Sequence, residues 1–427
     1  MKEPIDRRQF LGVVAAATAT ATTATATASA VSQGAAGEPQ SHGLAPTTGG
    51  PAGASARQPS PYLTDAGAFV DVSRGRPKPY RLRGEALVKA RLTADTWRLE
   101  VVGDESSRVG HPCRLEDGTA LDLASLQKLG ETHGVRFLKA MQCNNIPAPL
   151  GQGLWEGVPL REVIRRVGRV WNVRRVYYWG FHNNDPAQIF QSSLSYARAM
   201  ENPPWEPPAI LAYRLNGKPI PLERGGPVRM VVPWAHGFKS IKWLQRIVLT
   251  NDYRANDTYA LQNNDPDSYL KTAAYIGWGE IRFKAGAPIV AEGMAMSGWS
   301  GLKRVEYWLR RVSPGAEGLK DDDPAWTSAV WHPCTIMEPP DDWSAVLPAN
   351  VPAREVWGFD PETGRPRSWP LPFSMVSWSL RAPGLEAGSY ELRVRAVDLN
   401  GFAQPEPRPY PKAGMNQVPM RTLVVSA

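Results

Sequence analysis

The sequence is poor in cysteine, lacks long apolar runs and nowhere concentrates its charge. Three Cys among 427 residues cannot staple a scaffold of this size, and no CxxC or Cys/His cluster has the spacing of a zinc site. The missing CxxCH motif argues against a covalently attached haem. Lys+Arg 49 against Asp+Glu 41 gives +8, mild for the length, and the paired basics are short: Arg165-Arg166, Arg174-Arg175, Arg310-Arg311. A nucleic-acid binder gathers its basic residues into a run or face, so no nucleic-acid partner is expected. No stretch supplies the roughly 20 apolar residues of a membrane helix. What is present is 42% hydrophobic residues, enough to bury real cores and to exclude disorder throughout. At about 150 residues per domain, the length suggests two or three domains.

The first thirty residues read as an export signal. Asp6-Arg7-Arg8-Gln9-Phe10-Leu11-Gly12 is a twin-arginine pattern, followed by an Ala/Thr/Val stretch and the small-x-small site Ala28-Ser29-Ala30. The stretch is too rich in Thr for a stable membrane anchor, so a soluble, exported, periplasmic protein is expected. That route carries folded proteins with their cofactors in place. Residues 31–69 are expected to be a disordered linker, being Gly, Pro, Ser, Ala and Gln for most of their length.

Two folded regions follow. In 70–286 strand and helix patterns mix. Trp97 to Val102, Val135 to Met141 and Val228 to Val232 read as strands; Leu121 onward and Val158 to Ile164 read as helices. The mixed order makes this region α+β. In 287–427 helix signals fade. Val305 to Leu309, Ser374 to Leu380 and the cleanly alternating Tyr390 to Val397 read as strands between Pro- and Gly-rich turns, the pattern of an all-β immunoglobulin-like sandwich.

Two stretches can carry chemistry. Cys143 ends a strand, and Asn144 and Asn145 take the backbone out of the core there. A lone Cys is ordinarily a small buried hydrophobe, but loops on a rigid scaffold are where ligands and nucleophiles sit. The second stretch runs from Gly225 to Trp243. A buried strand carrying Arg229 enters a Gly-containing turn with His236, Lys239, Ser240 and Lys242. Backbone N–H groups with Lys and Ser suit a phosphate, and a solvated basic turn is the bland alternative.

Together these stretches resemble the sulfite oxidase family. Met141-Gln142-Cys143-Asn144-Asn145, followed by Gly153-Leu154-Trp155-Glu156-Gly157-Val158-Pro159-Leu160, is similar to its Cys loop and W-x-G-V-P-L segment. Leu211-Ala212-Tyr213-Arg214-Leu215-Asn216-Gly217-Lys218-Pro219 resembles its LAY-x-x-NG-x-P segment, and it leads into Gly226-Pro227-Val228-Arg229 as in the family. The turn Trp234 to Lys242 looks like that of the sulfoxide-reductase-like members. Met296-Ser297-Gly298, Arg304-Val305-Glu306 and Arg395-Ala396-Val397-Asp398 look like the dimerisation domain of the sulfite-oxidising members.

The resemblance implies a molybdopterin-binding domain followed by an immunoglobulin-like dimerisation domain. It also implies molybdenum on a molybdopterin cofactor, with Cys143 as the thiolate ligand to the metal and the catalytic residue. A soft anionic sulfur suits such a centre. Arg229, Ser240 and Lys242 would hold the pterin phosphate, with Lys239 beside them and His236 lining the pocket. The implied activity is oxidation of sulfite or a related small sulfur compound by a homodimer, with electrons passing to a c-type cytochrome. Reduction of S- or N-oxides is the alternative, and a non-catalytic scaffold a further one. The departures bear on substrate. The family's Arg after the ligand is replaced by Ala148, its R-N-H segment before Trp97 is not evident, and its His before the G-x-P-V-R run is Arg224. Arg224 and Arg304 are the candidates to supply the missing charge. Trp179 and Trp234 are candidate pocket walls, Tyr253, Tyr259 and Tyr269 fall where the family has an active-site Tyr, and Cys113 and Cys334 are left to pair or stay apart.

Overall fold

Strand propensity dominates the molecule, and the few helices are short. The computed structural model describes residues 62–143, 146, 148–258, 265–277, 279–313, 319, 323–405 and 416–427. The twin-arginine signal, residues 31–61 of the linker, Asn144, Asn145 and Tyr259 lie outside them. No helix among the described residues is long and apolar enough to cross a membrane.

The first half holds strands β1 (Arg98–Gly103), β2 (Arg108–Val109), β3 (Leu121–Asp122), β4 (Val135–Met141), β5 (Gly151–Pro159), β6 (Val170–Trp171), β7 (Arg175–Gly180), β8 (Gln191–Ser195), β9 (Ile210–Leu215), β10 (Lys218–Pro219), β11 (Arg229–Val231) and β12 (Leu244–Thr250). Helices α1 (Gly84–Lys89), α2 (Leu123–His133), α3 (Leu160–Arg165) and α4 (Tyr196–Met200) lie between them. One sheet runs β3-β1-β12-β7-β8, with β1 parallel to β12, and a second runs β10-β9-β5-β4, with β11 also on β9. Leu99, Val176 and Ile247 of the first sheet and Val158, Leu211 and Met230 of the second share one core. The expected strand at Trp97 and the one at Val135 form where the alternation placed them. Trp97 itself precedes β1, fully buried, and its indole N–H donates to the Leu244 carbonyl at 2.7 Å. The expected helix at Leu121 starts two residues later. Leu121 and Asp122 pair with β1, and the Asp122 carboxylate caps α2 by accepting the Ser125 N–H.

The second half holds β13 (Ala273–Ile276), β14 (Glu280–Lys284), β15 (Ile289–Met296), β16 (Arg304–Val312), β17 (His332–Pro333), β18 (Thr335–Ile336), β19 (Met375–Ala382), β20 (Gly388–Val397) and β21 (Met420–Ser426), with one short helix, α5 (Ala325–Ser328). Sheets β13-β15-β19-β18 and β14-β21-β20-β16-β17 close on a common core that includes Ile289, Trp378, Leu392 and Leu423. The expected boundary at 286/287 is therefore too late. Strands β13 and β14 already belong to this pair of sheets, because β13 hydrogen-bonds along β15 and β14 along β21.

Two further departures follow from burial. The end of the expected disordered linker is packed. Phe69 is buried in an edge-on contact with Trp155, the Thr64 N–H donates to the Gln152 carbonyl, and Tyr62 packs on Trp343 and Trp369. Aromatic residues at 62 and 69 supply the apolar area that residues 31–61 lack. Gly151 makes room: its φ is +142°, and a Cβ there would meet the Phe69 ring at 2.6 Å. The second departure is at 343–371, inside the expected sandwich. Trp343, Leu347, Val356, Phe359 and Leu371 pack on Leu138 and Leu154 of the first half, which joins the two regions.

Phe69→Ala should therefore cost about 3–5 kcal/mol of stability, as for other buried aromatic truncations. Urea denaturation followed by tryptophan fluorescence reads it, and a loss under about 1 kcal/mol would show residues 62–69 to be loosely held.

Candidate cofactor site

Strand β4 delivers Cys143 two residues past its end. The connection to β5 is pinched at its base, where the Leu150 N–H donates to the Met141 carbonyl at 2.7 Å, so Cys143 sits on a hairpin loop rather than in the sheet. It is half-buried beside Phe69, Phe137, Met141, Leu150 and Trp155. Gln142, fully buried, ties this loop to the second stretch, because its carbonyl accepts the Gly237 N–H at 2.7 Å.

The second stretch is the crossing from one sheet to the other, since β11 belongs to the second sheet and β12 to the first. A backbone that leaves both ladders must find other partners, and side chains provide them. The Ser240 hydroxyl accepts the Val232 N–H at 3.1 Å, and the Arg229 guanidinium donates to the Arg224 and Ser240 carbonyls at 2.7 Å each. Lys242 donates to the Glu223 carbonyl at 2.7 Å and to the Ser73 hydroxyl at 2.5 Å, with Asp71 at 3.5 Å.

Arg224, Arg229 and Lys242 thus converge, all three mostly buried. Arg229 and Arg224 make no ion pair among the described residues, and Asp71 is the carboxylate near Lys242. Asp71 is already engaged by Lys78 and Tyr80, each at 2.8 Å. Burial works against its ionisation, but those bonds and the ones from Ser73 outweigh it and hold the carboxyl below its usual range. Desolvation, and then the neighbouring Arg229, push Lys242 down to about 7; desolvation and Arg224 push Arg229 down to about 9. A pocket with this excess of positive charge is built for an anion.

His236 is buried in the same crossing, and neither ring nitrogen makes a hydrogen bond. Desolvation and then Lys139 push it down to about 3, so the ring is neutral. The Gln142 Oε1, Trp155 Nε1 and Arg224 Nε atoms are likewise buried without a partner. Buried polar atoms are nearly always paired. These are five of the fourteen such atoms among the described residues, and a polar group bound between the Cys143 loop and the crossing would supply partners for them.

Lys239 does not join this cluster, against expectation. Its side chain turns to the opposite side of the crossing, where its ammonium donates to Asp257 at 2.9 and 3.0 Å and to the Ser193 carbonyl at 2.8 Å. Both partners of this ion pair are fully buried. The pair fastens the crossing to β8 and is not available to a phosphate. The other candidates sort as follows. Trp179 packs under Arg246 on β7, away from the crossing, whereas Trp234 lies in it, fully buried beneath the Arg198 guanidinium at 3.8 Å. Tyr253 is exposed; Tyr269 bridges Ala235 and packs at a tilt against Trp299, ring centroids 4.4 Å apart. Arg304 is paired with Glu306 in the second half, so it does not replace the missing Arg. None of the three cysteines is in a disulfide. Lys139 was missed: in sequence it is one charged residue in an apolar strand, yet here it is fully buried, its ammonium on the Pro233 and Ala235 carbonyls.

The family model for the oxidoreductase molybdopterin binding domain matches residues 86–258, which contain Cys143 and the crossing from Arg224 to Lys242. Mitochondrial sulfite oxidase of Homo sapiens is 26% identical over 349 residues, covering 77% of this chain and 57% of that protein. Residues 86–258 thus read as an oxidoreductase molybdopterin binding domain, and the chain is similar to the sulfite oxidases. Nitrate reductase (NADH) 2 of Phaseolus vulgaris is 26% identical over 59% of this chain and 28% of its own length. The chain thus spans between about a quarter and little more than half of these two curated relatives. Among solved structures, the sulfane dehydrogenase SoxCD from Paracoccus pantotrophus shares the fold. The TM-score is 0.53 at 17% identity, over 80% of this chain and 82% of that one. The molybdopterin cofactor of the family fits the residues present. Cys143 offers the soft ligand, and Arg224, Arg229, Ser240 and Lys242 surround the place for an anionic group.

Two outcomes test this site. The apo-protein should gain stability as pH rises through two windows. His236 has a folded value of about 3 against an ordinary 6.5, and Lys242 and Lys139 have about 7 against 10.5. In each window the unfolded chain binds more protons, so stability rises with pH; urea midpoints at pH 4, 6, 7 and 9 read it. Separately, Asp257→Asn should cost about 3–5 kcal/mol by stranding the Lys239 charge. The double change Lys239→Met with Asp257→Leu should recover most of that and still retain pterin. Loss of pterin from the double variant would return Lys239 to the cofactor.

Proposed function

We propose that the protein is an exported molybdenum enzyme that oxidises sulfite or a related small inorganic sulfur compound and passes the electrons to a c-type cytochrome. The observation that carries the reading is the meeting of the Cys143 hairpin with the cation-lined crossing, held by the Gln142–Gly237 bond. When bound, the cofactor supplies a two-electron metal couple for moving an oxygen atom to or from sulfur. The chain's own residues do the rest. The Cys143 thiolate ligates the metal. Arg224, Arg229 and Lys242 neutralise the phosphate that tethers the pterin, and the Ser240 hydroxyl holds the crossing in register through Val232. The buried, neutral His236 ring would help keep water out of the crossing when the cofactor is bound.

Support for the oxidising direction is the second half. The resemblance links such a sandwich, immunoglobulin-like and dimer-forming, to the oxidising members, and the shared fold with a sulfane dehydrogenase extends over 80% of this chain. Reduction of S-oxides is the second reading. It is favoured by Ala148 at the family's Arg position and by Arg198, whose charge is spent on Glu206 at 2.5 Å and on the Trp234 face. A doubly charged oxyanion prefers unspent cations.

Purified protein should contain molybdenum and pterin, and Cys143→Ala should lose turnover with sulfite or thiosulfate and cytochrome c. Turnover only with methionine sulfoxide and a reduced dye would reverse the direction. Full molybdenum retention with wild-type metal spectra in Cys143→Ala would remove the ligand assignment.

A further inference from the structure

Strand β4 carries a charge where a strand core ordinarily has none. Strand alternation puts Phe137, Lys139 and Met141 on one face, and Phe137 and Met141 are buried in the apolar cluster beside Cys143. Lys139 is fully buried among them, paired with no carboxylate among the described residues. Its ammonium has three hydrogens. Two are placed by the carbonyls of Pro233 at 2.7 Å and Ala235 at 3.0 Å, the pair that flanks Trp234 and leads into His236.

The nearest charged groups do not relieve it. Arg229 is also a cation, and His236 is driven neutral, in part by Lys139 itself. A buried charge without a counter-charge costs several kcal/mol, and a Met would fill the same strand position without that cost. An anion supplied on cofactor binding would relieve that charge. A bound cofactor of the family would bring two anionic parts, its phosphate and the sulfurs that hold its metal. Arg224, Arg229 and Lys242 gather at one end of the crossing. Lys139 is elsewhere, on β4, the strand that leads to Cys143, and it bonds the carbonyl two residues before the Gly237 that grips Gln142.

We propose that Lys139 is a positioning cation for the metal end of the cofactor. It clamps the Pro233–Ala235 backbone with two hydrogens and offers its charge to the anionic dithiolene–metal unit. This rests on the family reading and adds to it a residue outside the phosphate cluster. Positive charge beside an anionic centre favours its reduced, more negative state, so Lys139 also raises the metal's reduction potential.

Lys139→Met and Lys139→Gln, expressed as the full chain, test it. The expected result is a smaller loss of urea resistance in the apo-protein than in the loaded protein, about 10-fold less pterin and molybdenum per chain, and a lower metal potential in the fraction that loads. Pterin is read by fluorescence after oxidative release, molybdenum by elemental analysis and the potential by titration followed by electron paramagnetic resonance. Unchanged pterin content and unchanged potential in both variants would overturn the proposal. So would an apo-protein destabilised as much as the loaded one, which would make Lys139 a structural clamp only. Wild-type protein without pterin would instead fail the family reading.

Discussion

The crossing between the two sheets of the first half is the constraint on which the site depends. Between β11 and β12 the chain leaves one hydrogen-bonded ladder and enters another, and its carbonyls must be met by something else. Three of them are met by cations, Pro233 and Ala235 by Lys139 and Ser240 by Arg229, and just before β11 Arg229 and Lys242 also bind the Arg224 and Glu223 carbonyls. A carbonyl satisfies a donor's geometry but leaves its charge unneutralised. The same bonds that shape the crossing therefore fill it with positive charge, and a tightly packed interior becomes an anion site with no surface patch to betray it.

This division explains what could be read from the sequence. Strands β1, β4, β19 and β20 were legible because alternation and β-branched residues report a half-buried pleat directly. Cys143 and the cluster of Arg229, Ser240 and Lys242 were legible because their order along the chain resembles a family. The direction of a side chain was not. Lys239 and Lys242 stand three residues apart in one turn with the same formal charge, yet one is locked to Asp257 and the other reaches Ser73. The 3-10 turn ends at Lys239 and the backbone is no longer helical at Ser240, so no helical spacing relates the two lysines, and no count of charges shows which one meets the acid.

Boundaries failed for a related reason. Composition marks where apolar area is scarce, but two aromatic residues suffice to fasten a segment that otherwise reads as linker, as Tyr62 and Phe69 do. The segment 343–371 reads as part of an all-β region because it is rich in Pro and Gly. Its Trp343 and Phe359 nevertheless complete a core with Leu138 and Leu154. The strand that carries Lys139 is thus backed by a segment from the second half, and the Ala140 N–H donates to the Phe373 carbonyl at 2.8 Å.

That backing bears on how the second half serves the site. Buried charge is tolerated only where the surrounding backbone cannot relax toward water. Strand β4 is held by β5 on one edge and by Phe373 on the other, while the Gln152 side chain reaches across to Met375. A loosely attached sandwich would let β4 shift and solvate Lys139. The joint between the two halves is accordingly part of the electrostatics of the site, and a change at Phe373 or Leu371 would act on the site through β4, the strand that leads to Cys143.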